Sequence, residues 1–424
     1  MKAILKSALF KRILNVGFFQ SIAHLGNAAT GFLIIHALDK EQYAAYALFY
    51  SVLSMIVVVS GVGIHMGMSV IGGRVWNDRR KLGSLVRTLE DLRMTLFKWL
   101  IPVFSGYTLW LFHKNQISLV FGAFVVVVVL GIVWLQIHAN LKFDIAKLLN
   151  RSDIVNRFDV VPALVRLALV TAILFLSPGN LHLILLVTLL SYLIQYVMVN
   201  RLVSELYEAG AEADPEYRKE TISMMKPDIV NTLYLVAQGQ IAIVLMSLFL
   251  DVTAISDVTV LGRITVVLAI LHATLSAALM PVFAREQEIG RLKLRFFQSS
   301  AIYLVLLSGI CTVARFFPWM LLWVLGDKYA HLGHELFVVV LGACFYQYIA
   351  FMYGFIAAKG WVKYQWLYTP FTILNHLILI FTLDLHTQMG IIWFGTLSNC
   401  GFFIINCISL MLGFTNRGAK PSYA

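Results

Sequence analysis

The chain has 424 residues, of which 60% are hydrophobic and 13% charged, with a mean hydropathy of +0.81. That is more apolar surface than a soluble domain of this size buries, which excludes a soluble globular protein. The formal net charge of +11 is spread along the chain in a pattern set by topology, so it is a match to anionic lipid headgroups and not a nucleic-acid footprint.

Crossing the hydrocarbon takes about 20 mainly apolar residues. Runs of that kind predict twelve membrane-spanning helices, at 13–36, 43–70, 94–112, 117–138, 160–177, 181–203, 229–250, 258–283, 296–318, 334–357, 362–382 and 389–412. The first is too long for a signal-peptide core and lacks a small-residue cleavage site, so it is expected to stay as a helix. Lys and Arg fall on alternate connections. Lys2, Lys6, Lys11 and Arg12 precede the first span, and Arg74, Arg79, Arg80, Lys81, Arg87 and Arg93 follow the second. Lys142, Lys147, Arg151 and Arg157 follow the fourth, and Arg201, Arg218, Lys219 and Lys226 the sixth. Arg285, Arg291, Lys293 and Arg295 follow the eighth, and Lys359, Lys363, Arg417 and Lys420 complete the set. The opposite connections carry Lys40, Lys114 and Lys328. The positive-inside rule then places both termini and the basic connections in the cytoplasm.

Taken in order, the first span carries Gln20, His24, Asn27 and Gly31 at intervals of 4, 3 and 4, on one helical face. Span two ends in Gly61, Gly63 and His65, where glycine permits bending or close packing. No Asp or Glu lies well inside any predicted span, whereas Lys98, Arg166, Arg263 and Arg315 lie in or near them. Lys98 lies near the inner end of span three, where a lysine snorkels. Arg315 stands beside Phe316, Phe317 and Trp319, the composition of an interfacial anchor. Arg166 and Arg263 lie deeper, where a charge costs about 2.5–3.5 kcal/mol on insertion scales and should face a cavity or a partner. Cations without resident carboxylates point to a counter-charge that arrives with the ligand. A diphosphate suits guanidinium, which binds phosphate oxygens bidentately.

The longest polar interruption, 204–226, predicts a helical, mixed-charge cytoplasmic linker between a six-helix bundle of residues 1–203 and a second of 227–424. Beyond it, Asn231, Tyr234 and Gln238 share a face of span seven. Span eight carries His272 and Ser276, span eleven Thr372, Asn375 and His376, and span twelve Asn399 and Asn406. Interhelical hydrogen bonding accounts for any one of these. The stripes on spans one and seven carry more weight because those spans hold equivalent positions in the two halves, and a polar lining suits sugar hydroxyls. Asp39 and Asp251 close the first span of each half, a weak repeat of the kind transporters with a central pathway use.

Cys311, Cys344, Cys400 and Cys407 lie in or beside apolar spans without metal-ligand spacing, so buried thiols are expected in place of a disulfide framework. No Walker motif, zincin or nucleophile elbow is present, and His24, His65 and Asp384 are too scattered for a triad. The outward connections are all short, leaving no room for an external catalytic domain.

Four segments carry a family resemblance. The run from Leu38 to Leu48 (LDKEQYAAYAL) resembles a short turn and tyrosine-rich start to span two, and Gly61-Val62-Gly63-Ile64 resembles its glycine-containing end. Ala278-Leu279-Met280-Pro281-Val282-Phe283-Ala284-Arg285 resembles the exit from span eight, and Leu325-Gly326-Asp327-Lys328-Tyr329-Ala330 the element before span ten. In this order and spacing they are similar to the polysaccharide or O-antigen flippases of the multidrug/oligosaccharidyl-lipid/polysaccharide (MOP) exporter superfamily. Ala44 and Ala45 stand where the family has glycine after the tyrosine, and no acidic residue occupies 240–243 in span seven. The resemblance implies an all-α integral membrane fold of about twelve helices in two six-helix bundles, arranged as a V around a cationic cavity.

It also implies a transporter and not an enzyme, in the bacterial inner membrane. By alternating access it would move a polyprenyl-diphosphate-linked oligosaccharide to the outer leaflet for lipopolysaccharide or related polysaccharide synthesis. Arg263 and then Arg166 are the residues expected to hold the diphosphate, with Gln20, His24, Asn27, Asn231, Tyr234 and Gln238 lining the glycan cavity. No metal or cofactor is expected, and coupling to a proton, sodium ion or membrane potential is left open. Glycosyltransferases and a polymerase are the partners implied. Two alternatives stand beside this reading: a small-molecule or drug exporter of the same superfamily, and a membrane-embedded glycan polymerase or acyltransferase.

Overall fold

The computed structural model describes residues 8–415, apart from 62, 63, 150, 178, 209, 287, 362 and 363; the side chains of several helix residues, Gln20, His65 and Asn231 among them, lie outside the described residues. The described residues form helices and turns with no strand. In chain order the helices are α1 (Ala8–Ala37), α2 (Lys40–Ser60), α3 (Ile64–Val75), α4 (Arg79–Lys114), α5 (Leu119–Leu148), α6 (Ser152–Leu176), α7 (Leu181–Val203) and α8 (Pro215–Phe249). Then come α9 (Val252–Leu261), α10 (Val266–Arg285), α11 (Ile289–Phe316), α12 (Pro318–Leu322), α13 (Gly333–Ala358), α14 (Tyr368–Thr382), α15 (Gln388–Leu397) and α16 (Cys400–Thr415).

Each predicted span coincides with one of these helices or with two in succession. Among the described residues, seven helical segments are long and apolar enough to cross a membrane: α2, α5, most of α6, α7, α11, α13 and the α15–α16 pair. Shorter apolar stretches lie in α1, α8, α9 and α14. The protein is a multi-pass membrane protein.

Packing divides the chain into two units, residues 1–247 and 248–424. In the first, α1 lies on α6 through small side chains. Ala23, Val160 and Ala163 are buried together, and a Cβ on Gly26 would stand 3.7 Å from that of Ala163. Close backbone approach of this kind holds helices together where lipid supplies no hydrophobic drive. A larger core joins the basic ends of α3 to α8: Ile64, Leu82, Leu85, Leu89, Leu141, Ile145, Val199 and Val203 are buried in it.

The predicted linker is helical only from Pro215, where Asp214 caps α8 by accepting from the amide of Glu216 at 2.7 Å. The preceding residues form a strap across the start of α4. Glu208 donates its amide to the carbonyl of Arg79 at 3.0 Å, and Asp214 donates to the Thr88 hydroxyl at 2.8 Å. Arg79 in turn donates to the Glu205 carbonyl and Ser84 to that of Glu212. Gly83 is required here, because a Cβ would collide with the Glu208 carbonyl oxygen.

The second unit packs around aromatic rings: Phe296 lies 4.5 Å from Phe355 and 5.9 Å from Phe351, with Phe283 against both of those rings. Asp251 caps α9 by accepting from the Ala254 amide at 2.8 Å, and Asp39 caps α2 in the same way from Gln42 at 2.7 Å. The two sequence-related aspartates thus make the same local structure, each at the start of the following helix.

Among the described residues three spans are broken, and each break frees backbone carbonyls that lipid cannot satisfy. Span two breaks after Ser60. Arg93 of α4, 1% exposed, donates from Nε to the Ser60 carbonyl and from a terminal nitrogen to that of Ile137, both at 3.2 Å. Span eight breaks at Gly262, whose carbonyl accepts from the Thr265 hydroxyl at 2.7 Å. Span twelve breaks between α15 and α16, where Asn375 of α14 donates to the carbonyls of Leu397 at 2.9 Å and Ser398 at 3.2 Å. The sequence placed Arg93 on a cytoplasmic connection and Asn375 among general polar contacts; both are helix-break donors.

Candidate functional site

The first unit holds a cavity of about 480 Å3 among α1, α2, α5, α6 and α7. Its lining includes His24 and Asn27 of α1, Gln136, Asn140, Asp144 and Lys147 of α5, Asp159 and Arg166 of α6, and Ser191, Tyr192 and Gln195 of α7. The local reason is helical spacing. His24 and Asn27 lie one turn apart, as do Asp159, Pro162 and Arg166 on α6 and Gln136 and Asn140 on α5, so each helix presents a polar stripe inward.

Arg166 is held by tyrosines. A terminal nitrogen donates to the Tyr46 hydroxyl at 3.0 Å, and the guanidinium carbon stands 5.3 Å from the centre of the Tyr50 ring. Tyr46 and Tyr50 are one turn apart on α2, their rings 4.8 Å apart. Cation–π attraction and a neutral hydrogen bond hold the guanidinium, and among the described residues no carboxylate forms an ion pair with it. Its Nε is buried with no hydrogen-bond partner among the described residues, so the group retains donor capacity.

Three sequence-predicted site residues therefore meet in one cavity: His24, Asn27 and Arg166. Gln20 and Asn231 have side chains outside the described residues. Tyr234 and Gln238 are half-buried on α8 and are not part of this lining. Arg263, the first expectation for the diphosphate, belongs to the second unit, half-buried in the turn that breaks span eight. Two residues below Gln238 on α8, Gln240 accepts from the Ser51 hydroxyl at 2.6 Å and from that of Tyr107 at 3.3 Å.

The sequence reading missed Tyr46, Tyr50, Tyr192, Gln136, Asn140 and both aspartates. A signal existed for the tyrosines, since Tyr43, Tyr46 and Tyr50 recur at intervals of 3 and 4 on one helical face. Asp144 and Asp159 were set outside the spans because hydropathy falls at 138 and recovers at 160. The helices instead run to Leu148 and start at Ser152, and both carboxylates line the cavity. A third carboxylate, Glu90 of α4, is paired: His138 lies 3.2 Å from it and Lys142 4.0 Å, while Lys142 donates to Asn200 at 2.6 Å. The carboxylates thus lie outside the predicted apolar spans but inside the helices, because amphipathic turns prolong the helices past their apolar windows.

The second unit has a cavity of similar size, about 470 Å3, between α11 and α13. Leu304, Leu307, Phe337, Leu341 and Phe345 make it mainly apolar, and its charged member is Arg315. Arg315 is exposed, 5.9 Å from the centre of the Phe337 ring.

No protein-family model matches the chain, and no curated protein does. Solved structures do. A multidrug resistance MATE family transporter of the MOP superfamily, in an inward-facing conformation, superposes with a TM-score of 0.73 at 14% identity, covering 93% of this chain and 96% of that one. An outward-facing conformation of a multidrug resistance MATE family transporter of the MOP superfamily gives 0.62 at 14% identity, over 97% and 96%. A MATE structure in the straight conformation gives 0.59 at 14%, over 96% and 95%. At such identity the likeness shows the fold: an all-α membrane fold of about twelve helices, shared with transporters of the MOP superfamily.

Proposed function

We propose that this chain, built on the fold of MOP superfamily transporters, is an alternating-access exporter whose cargo is a polyprenyl-diphosphate-linked oligosaccharide. The observation that carries the cargo is the cavity around Arg166. A guanidinium held by tyrosines, with an unused Nε donor, suits a phosphate oxygen, which it binds through charge-assisted hydrogen bonds. The surrounding amides, imidazole and hydroxyls of Gln136, Asn140, His24, Asn27 and Ser191 suit sugar hydroxyls, which both donate and accept. The prenyl tail stays in lipid. Arg263 is the second diphosphate ligand of this reading. The two six-helix halves expected from the sequence are the bodies that exchange access, in the inner membrane with both termini cytoplasmic.

A second reading, export of small cationic molecules, is favoured by Asp144 and Asp159 at the same cavity, since a carboxylate exchanges a coupling ion for a cationic drug.

The two readings separate in cells depleted of the protein. Polyprenyl-diphosphate glycan is measured on each membrane leaflet, with wild type, Arg166→Ala, Arg263→Ala and Asp159→Asn supplied in turn. Accumulation on the cytoplasmic leaflet, relieved by wild type but not by Arg166→Ala, supports the flippase. Unchanged glycan lipid, with loss of resistance to cationic drugs in Asp159→Asn, replaces it with the drug exporter. Unpolymerised glycan accumulating outside would assign the protein to the polymerase class instead.

A further inference from the structure

A third cavity lies on a face of α6 distinct from the one that carries Pro162 and Arg166. It is a groove of about 690 Å3 between α6 and α7, lined by Val161, Leu193, Val197 and Met198, with Arg157 and Arg201 at one end. On α7 the residues Val197, Met198 and Arg201 recur within one turn, and on α6 Arg157 stands one turn before Val161, so each helix supplies apolar wall and one guanidinium. Both helices are long and apolar enough to cross a membrane, and Leu193 and Val197 are exposed on α7. The groove therefore opens to hydrocarbon. α6 and α7 pack antiparallel, so residues near the start of one and the end of the other share a membrane level.

Both arginines are exposed, and neither forms an ion pair with a described residue. No carboxylate lines the groove. Snorkelling alone would explain one such arginine; it does not explain two that converge on one apolar channel. A channel that accepts a hydrocarbon chain and ends in two bidentate, permanently charged donors is complementary to a lipid whose head is a phosphate.

We propose that this groove binds an anionic phospholipid of the surrounding leaflet, with an acyl chain along Val161, Leu193 and Val197 and its phosphate between Arg157 and Arg201. The site is independent of the Arg166 cavity and of the cargo assigned to it. Bound there, the lipid would brace the α6–α7 pair, one of the walls of the polar cavity, and tie its packing to membrane composition.

The test is native mass spectrometry of the full chain released from micelles that contain phosphatidylglycerol and phosphatidylcholine in equal amounts. Wild type should retain phosphatidylglycerol preferentially. Arg157→Gln and Arg201→Gln should each lower that preference about fivefold, and together reduce it to parity, at roughly the strength of one basic residue beside an anionic surface. Arg291→Gln, on another helix, should leave it unchanged. Val197→Trp, which fills the groove, should lower retention of both lipids.

Because Arg157, Arg201 and Val197 are exposed, these variants should elute as wild type does on gel filtration. An unchanged preference in the double glutamine variant overturns the proposal, as does unchanged retention in Val197→Trp. Displacement of the phospholipid by inorganic phosphate alone would reduce the site to a phosphate locus. Displacement by an equal amount of polyprenyl diphosphate, at higher affinity, would reassign the groove to the cargo. Either result also overturns the proposal.

Discussion

The two units solve the same physical problems with different chemistry. Each encloses a cavity of nearly equal size containing an arginine, yet that of residues 1–247 is lined by amides, hydroxyls and two carboxylates, and that of residues 248–424 by Leu and Phe. Each unit also contains a broken span. The first closes its break with the charged Arg93, the second with the neutral Thr265 and Asn375. Burying charge is the costlier solution in a membrane, so charge at both the break and the cavity of the first unit marks that unit as the place where charge has a use. The aromatic core of the second unit has the character of a scaffold.

Five substitutions sharpen or break this contrast. The largest effect on stability is expected from Arg93→Ala, which removes the buried donor from the Ser60 carbonyl at the helix break and its second bond to Ile137. Losing hydrogen bonds from a charged donor costs about 1.5–3 kcal/mol each, so thermal unfolding in detergent should begin several degrees lower. A melting temperature equal to wild type would mean that neighbouring groups take over the break. Arg166→Gln should weaken cargo binding about 10- to 100-fold, the equivalent of one charge-assisted hydrogen bond. The matched change Arg315→Gln should stay within about fivefold, because an exposed cation beside aromatic rings contributes only about 0.5–1 kcal/mol. Equal losses at the two sites, measured as export from vesicles, would erase the distinction between the cavities.

Gly83→Val is smaller in scope. It drives a side chain into the Glu208 carbonyl and should detach the strap from α4, at about 1–3 kcal/mol for an overpacked site. Limited proteolysis checks it: cleavage within 204–214 should accelerate while the rest of the chain resists. Smallest is Asn375→Ala, which removes one neutral interhelical donor, worth about 0.6–1.7 kcal/mol. Its shift in melting temperature should be less than half that of Arg93→Ala. A larger shift would show that the second unit depends on its polar contacts as heavily as the first.

The residues show why some of this was legible beforehand. His24 and Asn27 share a face by helical period alone, and Arg166 stood out because a charge deep in an apolar run is expensive. Tyr46 and Tyr50 did not stand out, since tyrosine is an ordinary residue of a membrane helix until a cation is found above its ring. Asp144 and Asp159 were hidden by the hydropathy window, which ends where lipid contact ends, whereas the helix ends where its backbone hydrogen bonds do. Arg93 was masked by its neighbours: six basic residues in one connection read as a topology signal, and nothing local separates the one that is buried.

Composition and the spacing of apolar runs were sufficient to determine that the protein crosses the membrane many times, where its helices lie, and on which connections its positive charge collects. These depend on each segment's own transfer between water and lipid, a sum over nearby residues. Only the tertiary structure decided that Arg166 meets the tyrosines of α2, that two carboxylates share its cavity, and that Arg93 and Asn375 serve carbonyls on other helices. Those pairings join residues 22 to 120 positions apart. They follow from which helix faces pack together, which no single segment encodes.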